Sequence, residues 1–437
     1  RILLIGTAVF AVASAASGLA QADWWLVAAR VVQGLGASAF FAASLSIVSN
    51  AFPPDERSKG IGIWASIGTV GLAIGPLVGG FLTEALSWRW FFFVNIPITL
   101  LAIFLTVIAV RESRDESAGR HVDLVGLVAV TAGLTALVLG IQQSDTLGWG
   151  SPLVIGSLVA AAVLLALFMV VEPRLSEPLI ELDLFGNHSY LGANAVAFAQ
   201  NFGFGAIMFF IPLYFQNVLG YSPLNTGLIL LAFTVTLTIC DSLAGPVAGV
   251  IGARLPMAVG MALSGVAFLL LALTTPASGL SAILVFALAV AGVGQAFAYT
   301  VSTTGGMAAI PEAKAGAASG ILSMIRLMGA VFGVAATGAL FKALENHKLA
   351  GLLKAAGADL DAADRTEIRG LLSGSEAAEN KLSQIAPEVV GQIDRVVREA
   401  FVSALDGAML LCMVASVVGV LASFLVAGRT TEEKQTN

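Results

Sequence analysis

Long apolar stretches alternate with short polar segments along almost the whole chain. A helix needs about 20 mostly apolar residues to cross the hydrocarbon core of a bilayer, and most of these stretches reach that length. Hydropathy and the polar segments between them predict twelve membrane-spanning helices. The predicted spans are residues 2–20, 24–49, 60–82, 90–110, 123–141, 152–171, 189–216, 223–244, 255–275, 278–305, 316–341 and 401–427.

The composition agrees with this pattern. Of the 437 residues, 57% are hydrophobic and 11% are charged, and the mean hydropathy is +0.91. A soluble protein of this size carries roughly 25% charged residues. The chain is therefore expected to be an all-α integral membrane protein whose main partner is the lipid bilayer.

The sequence does not support a disulfide-rich protein, a metal site, an enzyme or a nucleic-acid-binding protein. Cys240 and Cys412 lie in apolar spans, which favours neither a disulfide framework nor a thiolate metal site. The three histidines lie far apart in loops, and we expect no metal and no cofactor. A membrane-embedded enzyme would need a clustered acid, base or metal set, and the sequence does not show one. Without a basic run interleaved with aromatic residues, we expect no nucleic-acid partner.

The first span follows Arg1 directly. A basic residue, an apolar run and small residues resemble a secretory signal peptide. Eleven further spans follow, so we interpret residues 2–20 as a true span whose upstream sequence is missing. A broken gene whose product folds poorly is the alternative.

Lysine and arginine positions predict the orientation. Short cytoplasmic loops carry an excess of these residues. One set of ends holds eleven of them, whereas the short loops of the other side hold only Arg89. We therefore expect both chain ends to be cytoplasmic in a bacterial-type cytoplasmic membrane. The polar segment 342–400 is expected to be an extracytoplasmic loop with amphipathic stretches that hold short helices.

The third span carries an unusual pattern of glycines. Gly71, Gly75 and Gly79 recur every fourth residue and so share one helix face, which lets another helix approach closely. Pro76 removes a backbone donor beside that face and favours a kink. The pattern suits a helix that rocks against a neighbour, although tight packing without motion would also explain it.

Four stretches together resemble the major facilitator superfamily, specifically its fourteen-span drug:proton antiporters. LVAARVVQGLGASAF (26–40) resembles the family's fourth-span motif, with Arg30, Gln33, Gly34 and Gly36 at matching positions. GLAIGPLVGG (71–80), which ends in Gly79 and Gly80, is similar to the fifth-span antiporter motif. WRWFFFVNIP (88–97) resembles the entry to the sixth span, and GILSMIRLMGAVFGVA (320–335) resembles a later span.

This resemblance implies two pseudo-symmetric helical bundles that face one another across a central cavity, with about twelve of fourteen spans present. It implies an N-terminal bundle with four of six spans, two additional spans, a C-terminal bundle that includes loop 342–400, and a cytoplasmic tail. Their bounds are residues 1–110, 111–188, 189–427 and 428–437. The loop around Gly249, Gly252 and Arg254 departs from the family pattern, so conformational control by that loop is not expected.

The implied activity is proton-coupled export of hydrophobic or cationic drugs, or toxic metabolites, by alternating access. The proton gradient would drive it, and the protein is expected to be a monomer. Arg30 and Gln33 share a helix face and are candidates for proton coupling. A buried arginine costs about 2.5–3.5 kcal/mol on insertion scales, so Arg30 should face a cavity or a partner, unless it snorkels to the outer interface.

Asp241 is the carboxylate that lies well inside a predicted span, and we include it among the proton-coupling candidates. Its place near the cytoplasmic end also allows a solvated or capping role. Arg326, Gly329 and Gly333 are candidates for gating, and Arg326 could equally join two helices by an ion pair. The candidate lining of a substrate cavity is Asn194, Gln200, Asn201, Gln295 and Tyr299.

Two further alternatives remain at this point. One is a membrane sensor or structural relative that has kept the fold without transport. The other is an exporter with narrow specificity for a single metabolite.

Overall fold

The computed structural model describes residues 1–51, 57–110, 112, 123–175, 180–274, 281–311, 314–355 and 387–427. Thirteen α-helices follow one another within these residues. They are α1 (Ile2–Gly18), α2 (Asp23–Ala51), α3 (Arg57–Ala85), α4 (Trp90–Phe93), α5 (Asn95–Ala109), α6 (Leu124–Leu147), α7 (Pro152–Val171), α8 (His188–Leu213), α9 (Pro223–Ile251), α10 (Arg254–Thr274), α11 (Ala282–Met307), α12 (Ala315–Ala355) and α13 (Pro387–Ser423).

Ten helical segments in the described ranges are long and apolar enough to cross a membrane. They correspond to ten of the twelve predicted spans. The two other predicted spans are also helical. Helix α1 is apolar but has only 17 residues, and α3 has 29 residues and contains Pro76.

The fourth predicted span is interrupted near its start. The short helix α4 ends at Phe93, and α5 begins at Asn95. Pro97 has no N–H group to donate to the carbonyl oxygen of Phe93, so the helical hydrogen-bond pattern is broken there. A proline is tolerated in the first turn of α5 because those N–H groups lack intrahelical partners anyway.

Polar side chains fix several helix starts. Asp123 accepts a hydrogen bond from the N–H of Gly126 (2.9 Å) at the start of α6. Asn187 accepts from Ser189 N (2.9 Å) and Tyr190 N (3.2 Å) at the start of α8. These residues satisfy backbone donors that a helix leaves unpaired in its first turn.

The prediction of a loop at residues 342–400 is wrong at both ends of that range. Helix α12 continues to Ala355, and α13 already begins at Pro387; residues 356–386 lie outside the described residues. Leu349 and Leu353 are four residues apart and both 1% exposed, so a helix can bury them together. Polarity led to the loop prediction, whereas amphipathic periodicity decides the structure here.

The described chain divides into two compact units. Unit 1 comprises Arg1–Ala118 and Ser222–Thr234, and therefore includes α1 to α5 and the beginning of α9. Unit 2 comprises Gly119–Tyr221 and Val235–Asn437.

The two additional spans, α6 and α7, pack against one another within unit 2, and α6 also contacts α12. A buried apolar cluster joins them to the beginning of α8 and α12. Its members are Ala129, Val130, Phe168, Ile180, Leu184, Tyr190, Ala318 and Ile321.

Candidate functional site

In unit 1, Arg30 is held by a short chain of polar groups. Its Nη1 donates to Oε1 of Gln33 at 2.6 Å, and Nε2 of Gln33 donates to Oγ of Ser14 at 2.9 Å. Asn95 also donates to Ser14 Oγ (3.2 Å). Gln33 and Ser14 are buried, whereas Arg30 is exposed at the side of α2. These hydrogen bonds therefore connect the charged group of Arg30, at the surface of unit 1, to the interior of that unit.

The glycines of α2 differ in their surroundings. A Cβ atom on Gly36 would lie 2.6 Å from the backbone nitrogen of Phe10 and 2.8 Å from the carbonyl oxygen of Gly6. Gly36 therefore allows α1 and α2 to cross closely. A Cβ atom on Gly34 would meet no described atom within 4 Å.

The glycines of α3 show a similar contrast. A Cβ atom on Gly71 or Gly75 would meet no described atom within 4 Å, and one on Gly79 would touch the ring of Phe91 at 3.4 Å. Gly80, by contrast, lies against the carbonyl oxygen of Pro223 in α9.

A second close approach joins the same two helices in unit 1. A Cβ atom on Gly227 would lie 2.6 Å from the carbonyl oxygen of Pro76. Helix α3 therefore contacts the first turns of α9 through two glycines, one supplied by each helix.

In unit 2, Arg326 of α12 lies against one turn of α11. Its Nη2 donates to the carbonyl oxygen of Tyr299 (2.6 Å), to Ser302 Oγ (3.1 Å) and to Thr303 Oγ1 (2.6 Å). The guanidinium carbon lies 3.9 Å from the centroid of the Tyr299 ring, which adds a cation–π attraction. Arg326 is only 9% exposed, and its Nε has no hydrogen-bond partner among the described residues.

Asp241 of α9 contacts the same turn of α11. The hydroxyl group of Thr300 donates to Oδ1 of Asp241. Thr300 directly follows Tyr299, so adjacent residues of α11 contact the carboxylate of Asp241 and the guanidinium of Arg326. Helix α11 thereby binds opposite charges from two other helices at neighbouring positions of one turn.

Three of the predicted cavity residues form a largely buried amide network. Gln200 Nε2 donates to Gln295 Oε1 at 2.6 Å, and Asn201 Nδ2 donates to Gln200 Oε1 at 2.6 Å. Gln295 reaches Ser264 Oγ at 3.5 Å. The network joins α8, α10 and α11.

The two other predicted cavity residues lie elsewhere. Asn194 is 2% exposed and donates to the carbonyl oxygen of Tyr190 within its own helix. Tyr299 is 43% exposed and lies beside Arg326.

Gly329 and Gly333 lie at the crossing of α12 with α8. A Cβ atom on Gly329 would overlap the carbonyl oxygen of Phe198, and one on Gly333 would overlap that of Phe202. In the same way, a Cβ atom on Gly205 of α8 would lie 2.6 Å from the carbonyl oxygen of Ala330 in α12. The three glycines let the two backbones approach one another closely.

The structure thus brings some predicted residues together. Arg30 is paired with Gln33, and Arg326 shares a turn of α11 with Asp241. Sequence reasoning missed the hydroxyl groups that complete both arrangements: Ser14, Thr300, Ser302 and Thr303. Small hydroxyl residues are common in membrane helices, so no local signal singled them out.

Two charged groups near the helix ends have shifted pKa values. The pKa of Glu84, two residues beyond the predicted span, is lowered by hydrogen bonds from the Ser222 side chain and from the backbone N–H of Leu224. The pKa of Lys314 is raised by its hydrogen bond and ion pair with Glu181, whose Oε2 lies 2.6 Å from Nζ.

Within the described ranges, no group of three or more His, Cys, Asp or Glu side chains could hold a metal ion.

The sequence profile of the Major Facilitator Superfamily matches residues 1–171 and 193–345. This chain belongs to that superfamily. The predicted superfamily and its all-α membrane fold are confirmed.

Two relatives in the superfamily carry names that refer to resistance. The chain is 38% identical over 344 residues to "Multidrug resistance protein Stp" of Mycobacterium tuberculosis, covering 78% of this chain and 64% of that protein. It is 30% identical over 337 residues to the "Tetracenomycin C resistance and export protein" of Streptomyces glaucescens, covering 77% and 62%. The chain thus spans less than two thirds of the length of either relative.

A solved structure supports the superfamily fold. It is a bacterial homologue of the human lysosomal transporter Spinster in an inward-facing, unoccupied conformation. The match has a TM-score of 0.60 and 16% identity, and covers 97% of this chain and 83% of that one.

Proposed function

We propose that this protein is a proton-coupled antiporter of the fourteen-span drug:proton type. It exports hydrophobic or cationic drugs, or toxic metabolites, by alternating access. The names of the two relatives support the substrate class. The observation that carries the proposal is the shared turn of α11, which contacts Asp241 and Arg326 at neighbouring residues.

Asp241 is the proposed site of proton exchange. In its ionised form it accepts the hydrogen bond from Thr300 and attracts Arg326. Protonation removes its charge, and both interactions weaken as a result. Because Tyr299 and Thr300 are adjacent, the change at Asp241 is transmitted to the residues that hold Arg326.

A cationic substrate would be recognised in the same place. Tyr299 is partly exposed, and Arg326 covers one face of its ring. We propose that the opposite face receives the substrate, because aromatic faces attract flat lipophilic cations. A bound cation stabilises the ionised form of Asp241 and disfavours its protonated form. Competition between proton and cation at one carboxylate is the simplest basis for their exchange.

Arg30 is proposed as the coupling residue of unit 1. Its hydrogen bond to Gln33 fixes the guanidinium while leaving it exposed, so it can respond to a charge that arrives at the surface of α2. The glycines Gly34, Gly71 and Gly75 leave space on α2 and α3, and we propose that this space is used when the protein changes conformation.

The remaining assignments follow from the same proposal. The protein acts as a monomer in the bacterial cytoplasmic membrane, with both ends of this chain in the cytoplasm, and uses the proton gradient without a cofactor. The segments 1–110, 111–188, 189–427 and 428–437 are its N-terminal bundle, additional spans, C-terminal bundle and tail.

Proteoliposomes that contain the full-length gene product test the function directly. A pH-sensitive dye inside the vesicles reports an imposed proton gradient while tetraphenylphosphonium or ethidium is added. We expect either cation to collapse the gradient. The collapse should be at least about tenfold slower in Arg30→Ala and in Asp241→Asn, which corresponds to about 1.4 kcal/mol.

Asp394→Asn is the matched control, because Asp394 forms a partly exposed ion pair with Arg398 within one helix. It should transport at the wild-type rate. Full activity of Arg30→Ala and Asp241→Asn would overturn the residue roles. No response to a broad panel of cations would overturn multidrug export and favour a narrow metabolite exporter or a non-transporting relative.

A further inference from the structure

Two carboxyl groups meet where the additional spans α6 and α7 lie together. Asp123 caps the start of α6, and Glu172 directly follows the last residue of α7. A Cβ atom on Gly126 would overlap Oδ2 of Asp123 and would lie 2.9 Å from Oε2 of Glu172. Both oxygens therefore lie on the same side of Gly126, within a few ångströms of one another.

Each carboxyl group has one oxygen engaged and one unsatisfied. Oδ1 of Asp123 accepts from Gly126 N (2.9 Å), and Oε1 of Glu172 accepts from Ile180 N (2.6 Å). Oδ2 of Asp123 and Oε2 of Glu172 are buried and have no hydrogen-bond partner among the described residues. Glu172 is only 1% exposed, so solvent does not replace the missing partner.

Two ionised carboxylates at this separation would repel one another, and the two buried, unsatisfied oxygens would keep their desolvation cost. One proton removes both difficulties. A carboxylic acid O–H donates, and the facing carboxylate oxygen accepts. The two oxygens without partners are thus the two that a single O–H···O bridge would join.

We propose that Asp123 and Glu172 form a proton-binding site in which one proton is shared between Oδ2 and Oε2. The site is separate from Asp241 and does not depend on the proposed transport function. Proton binding forms one O–H bond and neutralises one carboxylate, and no other reactant is required.

Other charged groups near the site are engaged elsewhere. Arg174 donates to the carbonyl oxygen of Val170, and Lys314 is paired with Glu181 and attracted by Asp183. The hydroxyl of Tyr190, in the adjoining apolar cluster, donates to the carbonyl oxygen of Ala318 (2.8 Å).

The site has a mechanical consequence for its surroundings. Glu172 holds the chain at Ile180, and Ile180 packs in the apolar cluster that joins α6 and α7 to the start of α12. Loss of the proton would place two negative charges against this cluster. The bridged state therefore stabilises the junction between the additional spans and α12.

Infrared spectroscopy of the purified full-length protein at pH 7 tests the proposal, because a protonated carboxyl group has a C=O stretching band that an ionised one lacks. We expect such a band in the wild type, and its loss in both Asp123→Asn and Glu172→Gln. The amide introduced by either substitution can donate to the remaining carboxylate, so both variants should fold with nearly unchanged melting temperatures. Glu181→Gln is the control and should keep the band.

Several outcomes would overturn the shared proton. If the wild type lacks the band at pH 7, Asp123 and Glu172 are both ionised and the proposal is wrong. Pairing of the two carboxylates with Arg120 or His121, which lie outside the described ranges, would have this result. A band that survives either substitution assigns the proton to another group or to one residue alone. If either variant does not fold, the predicted isosteric replacement fails, and the proposal fails with it.

Discussion

The guanidinium group of Arg326 covers the ring of Tyr299 at 3.9 Å and also donates a hydrogen bond to the carbonyl oxygen of the same residue. One residue of α11 therefore binds the arginine through both its side chain and its backbone. The sequence predicts different roles for Tyr299 and Arg326, a cavity wall and a gate, whereas the structure places the two residues in direct contact.

Arg326→Lys should disrupt the contact with Tyr299 although it keeps the positive charge. An ammonium group lacks the planar geometry that lets Arg326 stack on the ring while it contacts three acceptors. Hydrogen bonds to charged groups contribute about 1.5–3 kcal/mol each, so losing one should lower the transport rate at least about tenfold. Arg395→Lys, at an exposed position of α13, should transport normally in the same vesicle assay; equal rates in the two variants would contradict the prediction.

Gly333→Ala should destabilise the crossing of α8 and α12. The added methyl group overlaps the carbonyl oxygen of Phe202, and overpacking of this kind costs about 1–3 kcal/mol. Gly338→Ala in the same helix is the matched control, because its Cβ would meet no described atom within 4 Å. Thermal unfolding in detergent should show a lower melting temperature for Gly333→Ala and an unchanged or higher one for Gly338→Ala.

Gly80→Ala and Gly75→Ala should differ in the same way within α3. The first places a methyl group against the carbonyl oxygen of Pro223, whereas the second occupies open space. We expect a lower melting temperature for Gly80→Ala only. A destabilised Gly75→Ala would show that this face is packed in the folded state and would refute the contrast.

Glu84 should make the stability of unit 1 dependent on pH in the acidic range. Its pKa is lowered in the folded protein from the ordinary value of 4.5, because the Ser222 side chain and Leu224 N donate to the carboxylate. The ionised group therefore stabilises the fold above pH 4.5, and this contribution is lost as the pH falls through the lowered pKa.

Melting temperatures at pH 7 and pH 4 measure this contribution in the wild type and in Glu84→Gln. The difference between the two proteins should be present at pH 7 and smaller at pH 4. Glu399→Gln, at an exposed position of α13, should follow the wild type at both values. A difference that does not change with pH would refute the assignment to the Glu84 charge.

Much of the fold could be predicted from the sequence because spans in a membrane are selected mainly by apolar length. Helix ends outside the apolar region were harder. Lys342–Ala355 is polar overall, yet it continues α12 because Leu349 and Leu353 share a buried face. Hydropathy averages over such a pattern and therefore ended the span too early.

The candidate site was predictable in part. Arg30, Asp241 and Arg326 attracted attention because charges inside spans are costly. Their partners were not predictable, since the sequence does not show which helix faces meet. Thr300 lies 59 residues from Asp241, and Ser14 lies 19 residues from Gln33. Asp123 and Glu172 were passed over because each lies at the end of a span, where a carboxylate is ordinarily solvated.

The length of α12 has a practical consequence. Its 41 residues extend about 60 Å at helical rise, roughly twice the thickness of the hydrocarbon core. Its extension packs against α13, where the side chain of Leu344 lies against Gly407. The packed helices α12 and α13 offer a rigid epitope for an antibody fragment. The bound fragment would enlarge the particle for electron cryomicroscopy. It would also report any tilt of α12, the helix that carries Arg326.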